Sequence, residues 1–285
     1  MDSRQVITAA LAAGCLLFSG ESARAELATP DPRLFPEPAR NAITFWGHAC
    51  FYVDVDGFGI VTDPVFERTA GVRRRRVGAP PRESYAGARI VLISHAHVDH
   101  LSPETLATFP PGTVVLCPPS VAERIDKLGF EVRVMKPGEA YLYPGGRVIA
   151  VAAHHGGGRW GLRGKADGRA LGWVIETPRG TVFCSGDTNY FEGFAEVGNT
   201  YHPDIAILNV NGHLQSTDAV SAALDTRARF VIPVHFGVYG WLGLGEPKNP
   251  RDYEEIARAL GPVLVKLGLG ESLPLPGSVP DREVQ

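Results

Sequence analysis

With 285 residues, 44% of them hydrophobic and 21% charged, the chain carries enough apolar side chains to bury a sizeable core. Its formal net charge of −3 at pH 7 excludes a general electrostatic attraction to nucleic acid or to an acidic membrane surface. Length alone allows one large domain or two small ones.

The first residues read as a targeting segment. Arg4 precedes the short apolar run "VITAALAAGCLLF", and Ala23-Arg24-Ala25 supplies a small-x-small cleavage signal. Residues 1–25 are therefore expected to be an export signal peptide, with a mature chain starting near Glu26 in the periplasm. The run is short for a permanent membrane span. Lipid attachment at Cys15, after the small residues of "AAGC", is the alternative. Residues 26–42 contain the proline-rich "TPDPRLFPEPAR" and read as an extended arm or linker.

The main domain is expected over 43–285. "ITFW", "CFYVDV" and "GIVT" open it as strands, the last two joined by a hairpin turn at Asp56-Gly57. The run Arg73–Arg76 reads as a solvated loop, with phosphate contact the alternative. Further strands follow at "RIVLI", "TVVLC", "EVRVM", "RVIAVAA", "LGWVIET", "TVFC", "DIAILNV" and "RFVIPV". Helices are fewer. "SPETLATF" has Ser102 as N-cap and Pro103 in first position, and "SVAERIDKLG" closes on a glycine. "STDAVSAALDT" and "NPRDYEEIARALG" complete the set. Without a Pro- or Ser-rich break over 43–270, one domain with helices outside its strands is the economical arrangement. Cys50, Cys117 and Cys184 lie in or beside apolar runs with no disulfide spacing, so buried thiols are expected.

The chemistry gathers at strand ends. "RIVLIS" runs into "HAHVDH", which holds three of the chain's nine histidines in six positions. "RVIAVAA" runs into His154 and His155, "TVFCSG" into Asp187, and "RFVIPV" into His235. Strand ends are where a rigid sheet displays functional groups, and four such ends point to one site. Imidazole suits zinc and similar borderline metals, and a carboxylate can bridge two ions. Between two such ions, water ionises near pH 7 and can attack a carbonyl or phosphoryl centre.

These residues, His95-x-His97-x-Asp99-His100 followed by His155, Asp187 in "SGDT" and His235 in "PVHFG", resemble the metallo-β-lactamase superfamily over essentially the whole mature chain. The resemblance implies an α/β fold, the four-layer αββα sandwich, with a binuclear centre at one edge. It assigns His95, His97 and His155 to one ion and Asp99, His100 and His235 to the other, with Asp187 bridging. Two zinc ions are implied, and other divalent transition metals suit the same donors. His155 is preferred over His154 because "VAAHHGGGR" places it in the ligand position of similar sequences.

Several stretches are similar to the N-acyl-phosphatidylethanolamine phospholipase D-like group and to the ascorbate-6-phosphate lactonase-like group. They are "TFWGHACFYVD", "IVTDPVFERT", "GHLQSTDAV" and "PVHFGVYGWLGLGEPKNP". The resemblance makes Asp63 a support for a ligand histidine, and His48, at a tight strand turn in "WGHAC", is a candidate for the same kind of role. The resemblance places His213 near the substrate, to bind an anionic group or protonate a leaving oxygen, and Arg159, close behind His155, is a candidate anion contact. Asp99 and His213 are the candidate catalytic residues. Asp187 argues against β-lactam hydrolysis, because β-lactamases of this fold lack the bridging aspartate. His97 argues against redox di-iron chemistry, where relatives carry glutamate. The expected activity is hydrolysis of a small or lipid-like phosphodiester, without a nucleic-acid partner and with membrane association left open. A lactonase and a non-catalytic envelope metal-binding protein are the rivals.

Overall fold

The computed structural model describes residues 26–71, 73–155, 170–210, 214, 216–236, 238–241 and 253–278. Strands β1 (Ala42–Gly47), β2 (Cys50–Val55) and β3 (Phe58–Thr62) form an antiparallel meander. The β2–β3 turn uses Asp56 and Gly57, both at positive φ (53° and 89°), as a tight two-residue hairpin demands. Two short strands, β4 (Thr69–Ala70) and β5 (Arg73–Arg75), precede β6 (Ala88–Leu92). Helix α1 (Pro103–Leu106) starts at Ser102, whose Oγ accepts from the Thr105 N–H at 2.8 Å. Strand β7 (Val114–Cys117), helix α2 (Pro119–Ile125) and strand β8 (Glu131–Val134) follow.

The second half continues with β9 (Ala140–Tyr143), β10 (Gly146–Ala152), β11 (Leu171–Thr177) and β12 (Gly180–Cys184). Then come α3 (Gly193–Tyr201), β13 (Ile205–Asn209), α4 (Ser216–Thr226) and β14 (Phe230–Val234). Strand β15 (Tyr239–Trp241), helix α5 (Tyr253–Leu260) and strand β16 (Ser272–Pro274) close the described chain. Among the described residues, no helix is long and apolar enough to cross a membrane.

Two large sheets result. The first has order β16-β1-β2-β3-β6-β7-β8 and the second β14-β13-β12-β11-β10-β9. Each has an antiparallel half and a parallel half: β3, β6, β7 and β8 pair in parallel, as do β12, β13 and β14. A central core fills the space between the sheets, with Ile43, Phe45 and Leu92 from one side and Val148, Trp173 and Ile207 from the other. Alternate residues of the same strands face outward. Trp46, Val91 and Ile93 pack against Leu106, Val121 and Ile125, while Phe183, Ala206 and Leu208 pack against Phe194, Ala219 and Ile256. Strands covered on both faces need near-continuous apolar runs, which is why "RIVLIS" and "DIAILNV" show no polar alternation. The layering is αββα.

Two expectations are corrected. Of the two readings of residues 26–42, the linker fails and a packed arm remains: the Ala28 N–H donates to Phe66 O at 2.8 Å, the Ala79 N–H to Thr29 O at 2.9 Å, and Phe35 is fully buried. The run Arg73–Arg76 is no solvated loop either. Its β5 segment lies between β15 and β4 in a third, three-stranded sheet. Arg75 is buried there with two of its three guanidinium nitrogens engaged: Nε donates to Gly78 O at 2.9 Å and Nη1 to Val65 O at 2.8 Å. Cys50, Cys117 and Cys184 are free, buried thiols, and burial pushes Cys117 up to about 12.

Candidate metal centre

The C-terminal ends of β6, β10, β12 and β14 lead directly to His95, His155, Asp187 and His235, all buried. After β6 the chain reverses tightly, with the His100 and Leu101 N–H groups both donating to His97 O at 3.1 and 2.9 Å. That turn sends His95 and His97 one way and Asp99 and His100 another. Gly186, at φ 58°, carries the chain from β12 to Asp187, and a Cβ there would meet Leu171 O at 2.8 Å. Three residues of the centre, His48, Asp63 and His235, are non-glycines at positive φ (59°, 36° and 77°). Such backbone persists only where its surroundings hold it, and it concentrates at functional sites. Here the His235 N–H donates to His48 O at 3.0 Å, coupling two of the three.

Two buried groups of donors form. One is His95, His97, His155 and Asp187; the other is His48, Asp99, His100 and His235. Within each group the donor atoms lie within 4.8 Å of one another. His97 Nδ1 is 2.9 Å from His95 Nε2 and 3.1 Å from His155 Nε2. His100 Nε2 is 3.1 Å from His235 Nε2. Asp187 faces both groups, with Oδ2 at 3.8 Å from His95 Nε2 and 3.3 Å from His100 Nε2. Its Oδ1 is 3.3 Å from His235 Nε2 and accepts from Asn209 Nδ2 at 2.7 Å.

Asp63 supports this arrangement. Its Oδ1 accepts from the Ser94 N–H at 2.7 Å, and its Oδ2 accepts from the Ser94 hydroxyl at 2.6 Å and faces His100 Nδ1 at 2.8 Å. Since the single Ser94 hydroxyl proton goes to Asp63, His95 Nδ1, 2.9 Å from Ser94 Oγ, must carry its own proton and donate. The hydrogen-bond network thus leaves the Nε2 lone pair of His95 facing the cluster. Asp63 fixes His100 in the same sense, with Nδ1–H outward and Nε2 inward.

The electrostatics follow from burial. Burial and the neighbouring His100 hold His95 well below the usual imidazole range, and burial does the same to His235 and lowers His48. Burial also works against a charged His100, yet Asp187 and Asp63 hold it well above that range. Burial opposes ionisation of Asp187 and Asp99 too. The histidines around Asp187, and the His48 hydrogen bond to Asp99, nevertheless keep both well below the usual carboxylate range. Burial thus favours the neutral form of His48, His95 and His235, while Asp99 and Asp187 favour the carboxylate and His100 draws a proton. That donor chemistry fits a divalent transition metal. Ring nitrogens converge in pairs at about 3 Å, and a metal can take the position of the proton that now lies between them, that of His100 included.

All seven residues expected as ligands meet here, together with His48 and Asp63. His48 Nε2 lies 3.2 Å from Asp99 Oδ2. His154 stays outside: it is exposed, with its ring stacked on Phe191 at 3.8 Å. His213 and Arg159 lie outside the described residues. Sequence reasoning missed Ser94, Asn209 and Arg73, whose guanidinium hydrogen-bonds Asp99 Oδ2. Ser94 and Asn209 each end an apolar strand run just before a functional loop, the one signal that would have singled them out.

Residues 59–236 match the family model described as "Beta-lactamase superfamily domain". The chain belongs to the metallo-β-lactamase superfamily. It is 30% identical over 200 residues to a UPF0173 metal-dependent hydrolase of Exiguobacterium sp., covering 69% of this chain and 86% of that one. Its fold is similar to that of Igni18, a metallo hydrolase of Ignicoccus hospitalis, with TM-score 0.63 and 22% identity over 81% of this chain and 97% of the other. It is also similar to CmlA, a diiron β-hydroxylase of Streptomyces venezuelae, with TM-score 0.62 and 20% identity over 84% of this chain and 55% of that one. The superfamily fold thus carries more than one chemistry, and the residues of the site must select among them.

Proposed function

We propose that this metal-dependent hydrolase binds two zinc ions and cleaves a phosphodiester. The observation that carries the reading is Asp187, whose two oxygens face two separate buried donor groups. When bound, zinc supplies Lewis acidity toward a phosphoryl or carbonyl oxygen and acidifies water. His95, His97 and His155 would hold one ion, Asp99, His100 and His235 the other, with Asp187 between them. Ser94 and Asp63 turn the Nε2 atoms of His95 and His100 inward, so the donors are oriented before any ion arrives. Asn209 pins one Asp187 oxygen and limits rotation of the carboxylate. His213 is assigned to proton transfer toward the leaving oxygen. A histidine at position 97, in place of glutamate, favours hydrolysis over redox chemistry. The phospholipase D-like stretches favour a diester over a lactone. Export through residues 1–25 completes the reading, with a periplasmic site of action.

Zinc content by elemental analysis and a panel of one activated phosphodiester, one sugar lactone and one carboxylic ester test it together. Two zinc ions per chain, and diester cleavage abolished by chelation and restored by zinc, are expected. Faster turnover of the lactone would transfer the assignment to a lactonase. No more than one ion bound in excess zinc, or no turnover of any substrate by the fully loaded protein, would overturn it.

A further inference from the structure

The arginine run is a sequence feature that the hydrolase reading leaves unused. In β5, Arg73 and Arg75 share a face, since side chains alternate along a strand. Arg75 is locked to Val65 O and Gly78 O, and β5 is paired to β15 on one side and β4 on the other. Arg73 is thereby presented by a rigid element at the rim of the metal centre. Its guanidinium reaches Asp99, while its side chain remains 41% exposed, against 10% for Asp99. Nη1 thus faces the centre on a side chain that is still open to solvent.

Charge makes this placement informative. Like charges held close repel, so a fixed guanidinium beside a cation site is unfavourable in itself. With neutral imidazoles, the carboxylates of Asp63, Asp99 and Asp187 leave two divalent ions with one excess positive charge, and Arg73 adds another. An anion entering from solvent removes that conflict. Guanidinium offers planar, paired N–H donors that match phosphate or carboxylate oxygens.

We propose that Arg73 is a substrate contact that grips the anionic oxygen next to the scissile bond, so that the centre selects anionic over neutral substrates. This rests on the hydrolase reading and narrows it to a substrate class. A phosphodiester and a carboxylate-bearing lactone share the required chemistry, and a neutral ester lacks it.

The test uses the zinc-loaded full chain and its Arg73→Met and Arg73→Lys variants, each first checked for zinc content and thermal midpoint. Titration calorimetry with inorganic phosphate reads anion binding directly. Arg73→Met is expected to weaken phosphate binding by about 10-fold or more, with zinc content retained and Arg73→Lys intermediate. In kinetics, loss of kcat/KM on bis(4-nitrophenyl) phosphate should exceed that on neutral 4-nitrophenyl acetate by at least about 10-fold. A carboxylated lactone losing as much as the diester would identify carboxylate as an equally good handle. Unchanged phosphate affinity in Arg73→Met would overturn the proposal, leaving Arg73 as a neutraliser of Asp99. So would loss of zinc from both variants, since Arg73 would then act through its ligand neighbour. Arg73-dependent phosphate binding without any hydrolysis by the wild type would sink the hydrolase reading and spare the anion contact. Hydrolysis with Arg73-independent phosphate binding would do the reverse.

Discussion

Both carboxylate oxygens of Asp63 are engaged inside the protein, one by the Ser94 N–H and the other by the Ser94 hydroxyl and His100. Asparagine in its place keeps the shape but can accept on only one side, so either Ser94 or His100 loses its anchor. Asp63→Asn is expected to retain the fold and lower metal affinity by about 10–100-fold, the usual effect of losing such a support. Competition with a chromophoric chelator measures this, and wild-type affinity would refute the role. At this scale the sequence was informative where a residue's chemistry is specialised. Histidines and aspartates clustered at strand ends have few other uses, so His95, His97, Asp99, His100 and His235 were legible. Ser94, Asn209 and Arg73 were not. A serine, an asparagine and an arginine acquire their roles only from what the fold sets beside them, and the end of an apolar run is the one local mark that Ser94 and Asn209 carry.

Among the elements, the third sheet separates what sequence pattern can and cannot convey. Runs such as "CFYVDV" and "LGWVIET" coincide with β2 and β11, because burial on both faces imposes apolar side chains along most of the strand. Strands β4, β5 and β15 comprise two or three residues each and exist because they pair with one another. A run of arginines carries no strand signal, so its place was set by tertiary contacts alone. Helix α3 was hidden for a related reason. "GFAEVGNTY" contains two glycines, poor helix formers, yet Gly198 is needed where α3 crosses the end of α4. A Cβ at Gly198 would lie 2.2 Å from Asp225 O. For β5 the anchor is Arg75, and Arg75→Met should cost about 1–3 kcal/mol, since Gly78 O loses its buried donor while Val65 O keeps the Tyr239 hydroxyl. Urea unfolding at fixed zinc concentration gives the difference. A midpoint equal to that of the wild type would show that pairing alone holds the strand.

For the whole molecule, strand and helix signals conveyed one domain with helices outside its strands, while the four-layer α/β architecture was legible only through the resemblance carried by the histidine and aspartate motifs. How residues 26–42 lie was not, since a proline-rich segment gives no pattern from which packing of Phe35 or pairing with Ala79 could be read. The architecture also has a thermodynamic consequence. Each donor group draws on both sheets: His95 and His97 follow β6 of the first, while His155 and Asp187 follow β10 and β12 of the second. Likewise, His48, Asp99 and His100 belong to the first sheet's edge and His235 to the second's. An ion bound in either group is therefore a rivet between the two halves, absent from the unfolded chain, and its binding energy adds to folding stability. Above its dissociation constant, every tenfold rise in free zinc should stabilise the fold by about 1.4 kcal/mol per ion, so two ions give about 2.8. Unfolding midpoints across a series of zinc buffers would then count the rivets without any assay of turnover: a slope for one ion would refute the pair, and no slope would mean that neither sheet is held to the other by metal.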